Sequence, residues 1–496
     1  MAKGFNVLFV TSEVFPYSKT GGLADISNSL PQALNSLGND VRIISPKYGQ
    51  LDERRLQIHE IKRLKDLKID VNGKEAKFSI KSSFIHGKNT KAQMYLLESQ
   101  DYFKNKGIYQ NSITKKDFPN NDERYLFFCK AVIEILEILQ WRPDVIHCND
   151  WQTGLIPALL KTVHNTNPYM DGIKTVFTIH NLAYQGNFPK SSFEKTGLPD
   201  SVLTEKGGLH YGQFSYLKTG LNYADKISTV SQKYAEEIRT DKEYGCGLED
   251  VLNARKKDLS GILNGIDYSI WNPTVDKLIP YRYTFQEIPL KYENKRELLE
   301  GYKIEYNEDT PLIGVISRLV DQKGFDLIEK ILPELMKLDV QMIILGAGEE
   351  KHQKFLKKAE KKYKKKLAVH IGFDETLAHK IEAAADMFLM PSKYEPCGLN
   401  QMYSLRYGTV PIVRNTGGLS DTIIDYKKPK GNGFLFNNYD PKELMSTINT
   451  ALELFKDKNK WIKIARQGMS LDFSWKVSAL KYMKLYKTVT KSKKKS

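Results

Sequence analysis

The chain has 496 residues, 41% hydrophobic and 27% charged, a globular composition long enough for more than one core. Seventy-five Lys and Arg against 59 Asp and Glu leave a formal charge of +16, which favours anionic partners. No apolar run is long enough to span a bilayer, and Cys129, Cys148, Cys246 and Cys397 are too scattered for a disulfide framework or a zinc site. A cytoplasmic protein with no membrane partner is expected, and the short apolar run at the N-terminus does not read as a leader. The lysine-rich stretches 356–366 and 490–496 lack interleaved aromatics, so they read as solvated surface and no nucleic-acid partner is expected.

In chain order, the apolar β-branched runs 5–12, 41–46, 144–150, 175–181 and 226–231 read as buried strands, each followed by a polar or glycine-bearing loop. Residues 48–140 are less regular, and not every element there can be assigned. The stretch 250–265 reads as a crossover, and "GILNGIDYSIWNP" (261–273) opens a second domain. The pattern then restarts at 311–319, 340–348, 367–373, 386–392 and 409–415, with amphipathic stretches between. Strands alternating with helices in this way predict an α/β protein of two Rossmann-like, doubly wound parallel-sheet domains. A final segment, 473–489, sets Trp475, Ala479, Tyr482 and Leu485 at helical spacing and needs an apolar face to cover.

One pattern, TGGLxD, occurs twice. Thr20-Gly21-Gly22-Leu23-Ala24-Asp25 matches Thr416-Gly417-Gly418-Leu419-Ser420-Asp421, and both copies follow a strand and open a helix. Paired glycines at a helix N-terminus let backbone N–H groups approach an anion, although either copy alone is as well read as a plain strand-to-helix turn. Two copies facing one interdomain cleft favour the anion reading.

The chain has no Gly-x-x-x-x-Gly-Lys-Ser/Thr segment, "GAGEE" (346–350) lacks the third glycine of a dinucleotide fingerprint, and no Asp-x-Asp occurs. The last point counts against a metal clamp on a diphosphate, so no metal is expected. Arg318 and Lys323, at a strand end and in the loop after it, could neutralise phosphate oxygens, though two loop cations are as often solvated bystanders. In "PSKYEPCGLNQMYSLRYG" (391–408), Glu395 follows a strand and precedes a helix beginning near Cys397. It reads either as an acid in the strand-end crevice or as a first-turn cap. Cys397 looks exposed, but no paired His or Asn is visible, so it reads as a packing residue.

Seven segments in this order, "SKTGGLADISNSLPQAL", "DVIHCNDWQTGLIP", "TIHNLAYQG", "ILNGIDYSIWNP", "ISRLVDQKGFDL", "PSKYEPCGLNQMYSLRYG" and "RNTGGLSDTI", resemble the bacterial glycogen synthase and plant starch synthase family. The resemblance spans nearly the whole chain. It implies the GT-B architecture, with an interdomain cleft between residues 1–255, completed by the C-terminal helix 473–496, and residues 256–472. It also implies a retaining transferase that moves glucose from ADP-glucose to the non-reducing end of an α-1,4-glucan, with no cofactor beyond that donor.

By the same resemblance Lys19, Gly22 and the turn Thr416, Gly417, Gly418 and Leu419 contact the donor, and Arg318 and Lys323 hold its diphosphate. Glu395 holds the glucose hydroxyls, His180 lies beside the sugar, and Asp150 is an acid on the acceptor side. Two departures stand out. Tyr403 occupies the place of a second glutamate found in the wider GT-B pattern, which argues against transferases using UDP- or GDP-sugars. Phe373 stands where the bacterial enzymes tend to carry a tyrosine on the adenine, keeping the ring face without the hydroxyl.

Overall fold

A computed structural model describes residues 4–49, 51–87, 90–105 and 107–491, so the end of the basic tail, 492–496, lies outside the described residues. The chain divides into two compact units, Met1–Val230 with Ala235–Gly265 and Trp475–Ser496, and Ser231–Tyr234 with Ile266–Ser474.

The first unit carries a ten-stranded sheet whose main strands are β1 (Asn6–Val10), β2 (Asp40–Pro46), β3 (Lys74–His86), β4 (Lys91–Glu98), β5 (Val145–Asn149), β6 (Lys174–Ile179), β7 (Lys226–Thr229) and β8 (Leu259–Gly261), with the short strands His59–Glu60 and Leu67–Val71 antiparallel to β3. The order of the main strands is β8-β7-β6-β5-β1-β2-β4-β3, all parallel except β3, which runs antiparallel to β4. Val7, Leu8, Phe9 and Val10 are wholly buried, as a parallel strand covered on both faces requires. Pairing of β8 with β7 carries this unit on to Gly265, past the boundary expected at 255.

The segment expected to be irregular holds the β3–β4 hairpin and a helix, Asn121–Ile138, buried on most of its circumference. The C-terminal helix Trp475–Lys491 packs Trp475, Ala479, Tyr482, Leu485 and Tyr486 into the core that also holds Ile26, Leu30 and Leu34 of the helix Gly22–Ser36. Tyr486 fixes it further: its hydroxyl lies 2.7 Å from His147 Nδ1, whose Nε2 lies 2.6 Å from Thr178 Oγ1. Burial pushes His147 down to about 3, so the imidazole is neutral and both contacts are ordinary hydrogen bonds.

The second unit is built on β9 (Leu312–Ile316), β10 (Gln341–Gly346), β11 (Leu367–Ile371), β12 (Met387–Met390), β13 (Val410–Arg414) and β14 (Phe434–Phe436), in the order β11-β10-β9-β12-β13-β14 and parallel throughout. Strand order reverses beside the first strand of each unit, at β1/β5 and at β9/β12. The carboxyl ends of strands at such reversals are where doubly wound sheets hold ligands.

Two local expectations are corrected here. The helix placed near Cys397 starts only at Asn400, because Gly398 (φ +68°) turns the chain first. Cys397 is buried, not exposed.

Candidate active site

In the first unit the functional side chains follow β1, β5 and β6. Lys19 lies in the loop after β1 and pairs with Asp25 (2.7 Å), both partly exposed, with the Phe15 ring centroid 5.5 Å from its ammonium. Gly22 is the first residue of the helix Gly22–Ser36, and its cap, Gly21, has extended backbone and no side-chain partner. The leading N–H groups of this helix therefore include donors with no intrahelical acceptor.

Asp150 follows β5 with φ +56° and ψ −179°, a conformation costly for any side-chain-bearing residue and typical of functional sites. Its carboxylate accepts from the His180 backbone N–H (2.7 Å), which joins the ends of β5 and β6. Burial raises Asp150 to about 7, against the lowering effect of the His180 and Asn181 N–H groups; the Glu13 charge adds to the rise. It therefore exchanges a proton near neutrality.

His180 is held by Asn149. The Asn149 Nδ2 group donates to the carbonyls of Val10 (3.0 Å) and His147 (3.3 Å), which leaves Oδ1 facing His180 Nε2 at 2.9 Å. Nε2 must carry the proton, so buried Nδ1, which has no hydrogen-bond partner among the described residues, keeps a free lone pair. Burial lowers His180 to about 3, so this acceptor persists at neutral pH.

In the second unit the site follows β9, β12, β13 and β11. Glu395 is 5% exposed and pairs with Lys323 (2.5 Å), and Ser392 Oγ lies 3.2 Å from the same carboxylate oxygen. Glu395 is therefore not the cap of the helix Asn400–Tyr407, whose N-cap is Leu399. The Lys323 ammonium has three donors, so the bond to Glu395 leaves two for a ligand.

Arg318 is exposed, with one guanidinium nitrogen 3.3 Å from Gln322 Oε1. Gln322 accepts at its carbonyl from Lys393 N–H (2.8 Å) and donates from Nε2 to the Tyr394 carbonyl (3.4 Å), tying the β9 loop to the β12 loop. The glycine turn after β13 closes on the same segment, with Gly418 N–H donating to the Glu395 carbonyl (3.0 Å). Gly417 sits at φ +46°, and Thr416 and Leu419 are buried. Phe373, beyond β11, is 85% exposed and presents a bare ring face. Tyr403 stacks on Trp271 (4.0 Å, 8°), which stacks in turn on His379 (3.7 Å, 15°), so the place of the absent glutamate is filled by an aromatic pile.

The structure thus joins Asp150 with His180, and Lys323 and Glu395 with the second glycine turn; Arg318 reaches that group through Gln322. Lys19 and Gly22 lie elsewhere in the first unit, in the loop and helix after β1, and among the described residues neither is bonded to Asp150. Glu13, Asn149 and Gln322 escaped the sequence reading, since a lone acid or amide beside a strand carries no spacing signal. Among the described residues, Asp321, Glu349 and His352 have metal-ligand proximity, but Lys351 bridges both acids (2.7 and 3.1 Å), and Glu329 takes His352 Nδ1 (2.7 Å).

Two doubly wound sheets, with cations, a buried acid and glycine turns at strand carboxyl ends, define a two-domain glycosyltransferase of the GT-B kind. The family described as "Starch synthase catalytic domain" matches residues 6–254, and that described as "Glycosyl transferases group 1" matches 302–468. A glycogen synthase of Moorella thermoacetica is 43% identical over 98% of this chain and 97% of its own length, and one of Geotalea daltonii is 43% identical over 98% and 99%. The solved catalytic domain of starch synthase IV from Arabidopsis thaliana, bound to ADP and acarbose, is 31% identical with a TM-score of 0.89, covering 98% of this chain and all of that one. The chain belongs to the glycogen and starch synthase family of glycosyltransferases. Among the described residues no helix is long and apolar enough to cross a membrane.

Proposed function

We propose that this enzyme transfers glucose from ADP-glucose to the non-reducing 4-hydroxyl of an α-1,4-glucan with retention at the anomeric carbon, in the cytoplasm, without a metal, a further cofactor or a nucleic-acid partner. The observation that carries the proposal is the Lys323–Glu395 pair at a strand end, its carboxylate buried, its ammonium partly exposed, and a glycine turn donating to the Glu395 backbone. The four cysteines, all free, suit a reducing compartment.

In this reading the C1–O bond to the diphosphate breaks, the sugar becomes oxocarbenium-like, and the acceptor hydroxyl attacks from the side the diphosphate leaves. Its proton passes to the departing phosphate oxygen. Arg318 and Lys323 stabilise the growing charge on ADP, and Lys19 and Gly22 assist at the donor. Preorganised donors of this kind contribute roughly 3–4 kcal/mol each to the transition state. Glu395 orients the glucose hydroxyls, and His180 Nδ1 accepts from a hydroxyl beside the reacting carbon. Asp150 lies toward the acceptor, Thr416 to Leu419 frame the sugar and phosphates, and Phe373 stacks on the adenine.

The test is a glucan-elongation assay with ADP-, UDP- and GDP-glucose side by side, on the parent and on Glu395→Gln. Elongation preferring ADP-glucose, with the variant down at least about a hundredfold in kcat, supports the reading. Preference for another nucleotide, or normal turnover by the variant, contradicts it.

A further inference from the structure

Glu13 is the least expected side chain of the first unit. It lies just beyond β1, is 3% exposed, and makes no ion pair among the described residues. Its carboxylate is instead saturated by neutral donors. Oε2 accepts from the backbone N–H groups of Thr20 (2.5 Å) and Gly21 (3.1 Å), and Oε1 from the hydroxyls of Thr20 (2.6 Å) and Tyr109 (2.6 Å). A second oxygen, Ser12 Oγ, lies 2.7 Å from the Tyr109 hydroxyl. Burial, and then the Glu13 charge, hold the Tyr109 phenol well above its ordinary value, so it remains a donor.

A buried carboxylate can only accept, so it forces every group around it to point a proton inward. Here it consumes the two amides that lead into the glycine turn. Those that begin the helix, at Gly22 and Leu23, are left with no intrahelical acceptor. A methyl group added at Gly21 or Gly22 would meet no atom within 4 Å, so nothing in the chain itself requires glycine there. The turn is thus anchored from behind by an internal anion and bare in front.

We propose that Glu13 is a positioning residue for the donor: by occupying the Thr20 and Gly21 amides it fixes the turn so that Lys19 and the next amides meet the donor's phosphates. The inference rests on the ADP-glucose reading above. It goes further in naming which amides the ligand can use and which group presents them.

The side-chain chemistry separates geometry from charge. A glutamine at this position can set its oxygen on the two amides and its NH2 on the Thr20 and Tyr109 hydroxyls, which can rotate to accept. Glu13→Gln is therefore expected to keep KM for ADP-glucose within about threefold of the parent, whereas Glu13→Ala, with the amides unanchored, raises it about tenfold or more. Tyr109→Phe, which removes one of the four donors, raises it about threefold. In all three variants KM for glucan stays within about twofold, a split that a general loss of structure does not produce.

The inference is overturned if Glu13→Ala leaves donor KM unchanged, if donor and glucan KM rise together, or if Glu13→Gln is as impaired as Glu13→Ala. Should Glu13→Ala fail to fold, Glu13→Gln and Tyr109→Phe still decide: a donor-specific rise in Tyr109→Phe alone supports the proposal, and no rise overturns it. A parent that elongates glucan with none of ADP-, UDP- or GDP-glucose would sink the donor reading itself, a result distinct from any of these.

Discussion

At Gly21 and Gly22 an added methyl group would meet nothing within 4 Å, whereas at Gly417 it would lie 2.0 Å from the Glu395 carbonyl and at Gly418 2.0 Å from the Cys397 carbonyl. The acids that close the two copies differ as well. Asp25 forms an ion pair with Lys19, while Asp421 accepts from the backbone N–H groups of Gln232 and Lys233 within the second unit. One TGGLxD pattern therefore meets two physical demands. In the first copy glycine leaves a turn uncovered, and in the second it lets the turn pack against the segment that carries Glu395. A repeated motif identifies a repeated place in the fold, but the reason for glycine must be found separately at each.

The largest effect expected is at the pair the second turn supports. Lys323→Ala should lower kcat by about a hundredfold to a thousandfold, measured by steady-state glucan elongation, with a much smaller effect on unfolding. Turnover equal to the parent would remove Lys323 from the chemistry.

Next come the glycines. Gly418→Ala forces a methyl group against backbone and should cost about 1–3 kcal/mol in denaturant unfolding. Gly21→Ala should change stability by less than about 1 kcal/mol, because its backbone is extended and its surroundings open. The same Gly21→Ala should raise KM for ADP-glucose several-fold. Equal destabilisation by both substitutions would erase the contrast between the turns.

The first unit also carries a pH signature. Asp150 is raised in the folded chain to about 7, so ionising it is less favourable folded than unfolded. Its contribution to stability is fully present below its ordinary 3.8 and is lost as pH rises through about 7. Asp150→Asn, uncharged throughout, should gain stability relative to the parent as pH increases across that window. Thermal melts of both proteins from acidic to mildly alkaline pH check this, and parallel curves would contradict it. The smallest effect is at Phe373, whose exposed ring should contribute about 0.5–1.5 kcal/mol of stacking. Phe373→Ala should raise KM for ADP-glucose several-fold, Phe373→Tyr should not, and kcat should stay near the parent's in both.

Much of this was legible in the sequence where periodicity carries information. The strands read from the sequence are continuous apolar runs because both faces are covered, and their ends stand within three residues of where the pattern puts them, as at 409–415 against Val410–Arg414, whereas the parallel strands β4, β8 and β14 had no counterpart in that pattern. The helix Asn121–Ile138 was missed for the converse reason: buried on most sides, it has almost no polar face to mark a period of 3.6 residues. The start of the helix after Glu395 was misplaced because Gly398 spends residues on a turn that composition alone cannot place.

Lys19, Lys323 and Glu395 stood out because their motifs are dense. Glu13 did not, because its four partners come from Thr20, Gly21 and Tyr109, and Tyr109 lies in a stretch with no readable pattern. The Lys323–Glu395 contact was likewise invisible, since it joins the ends of two strands that become neighbours only in the sheet.

The central claim is that side-chain ammonium groups hold the donor's pyrophosphate. Calorimetric titration of ADP into the parent, Lys19→Ala, Lys323→Ala and the double variant, with a chelator present, tests it most directly. Binding by the parent that survives the chelator, with affinity falling about tenfold or more in each single variant and further in the double, is the predicted result. Affinity unchanged by both substitutions, or abolished in the parent by the chelator alone, would contradict the account.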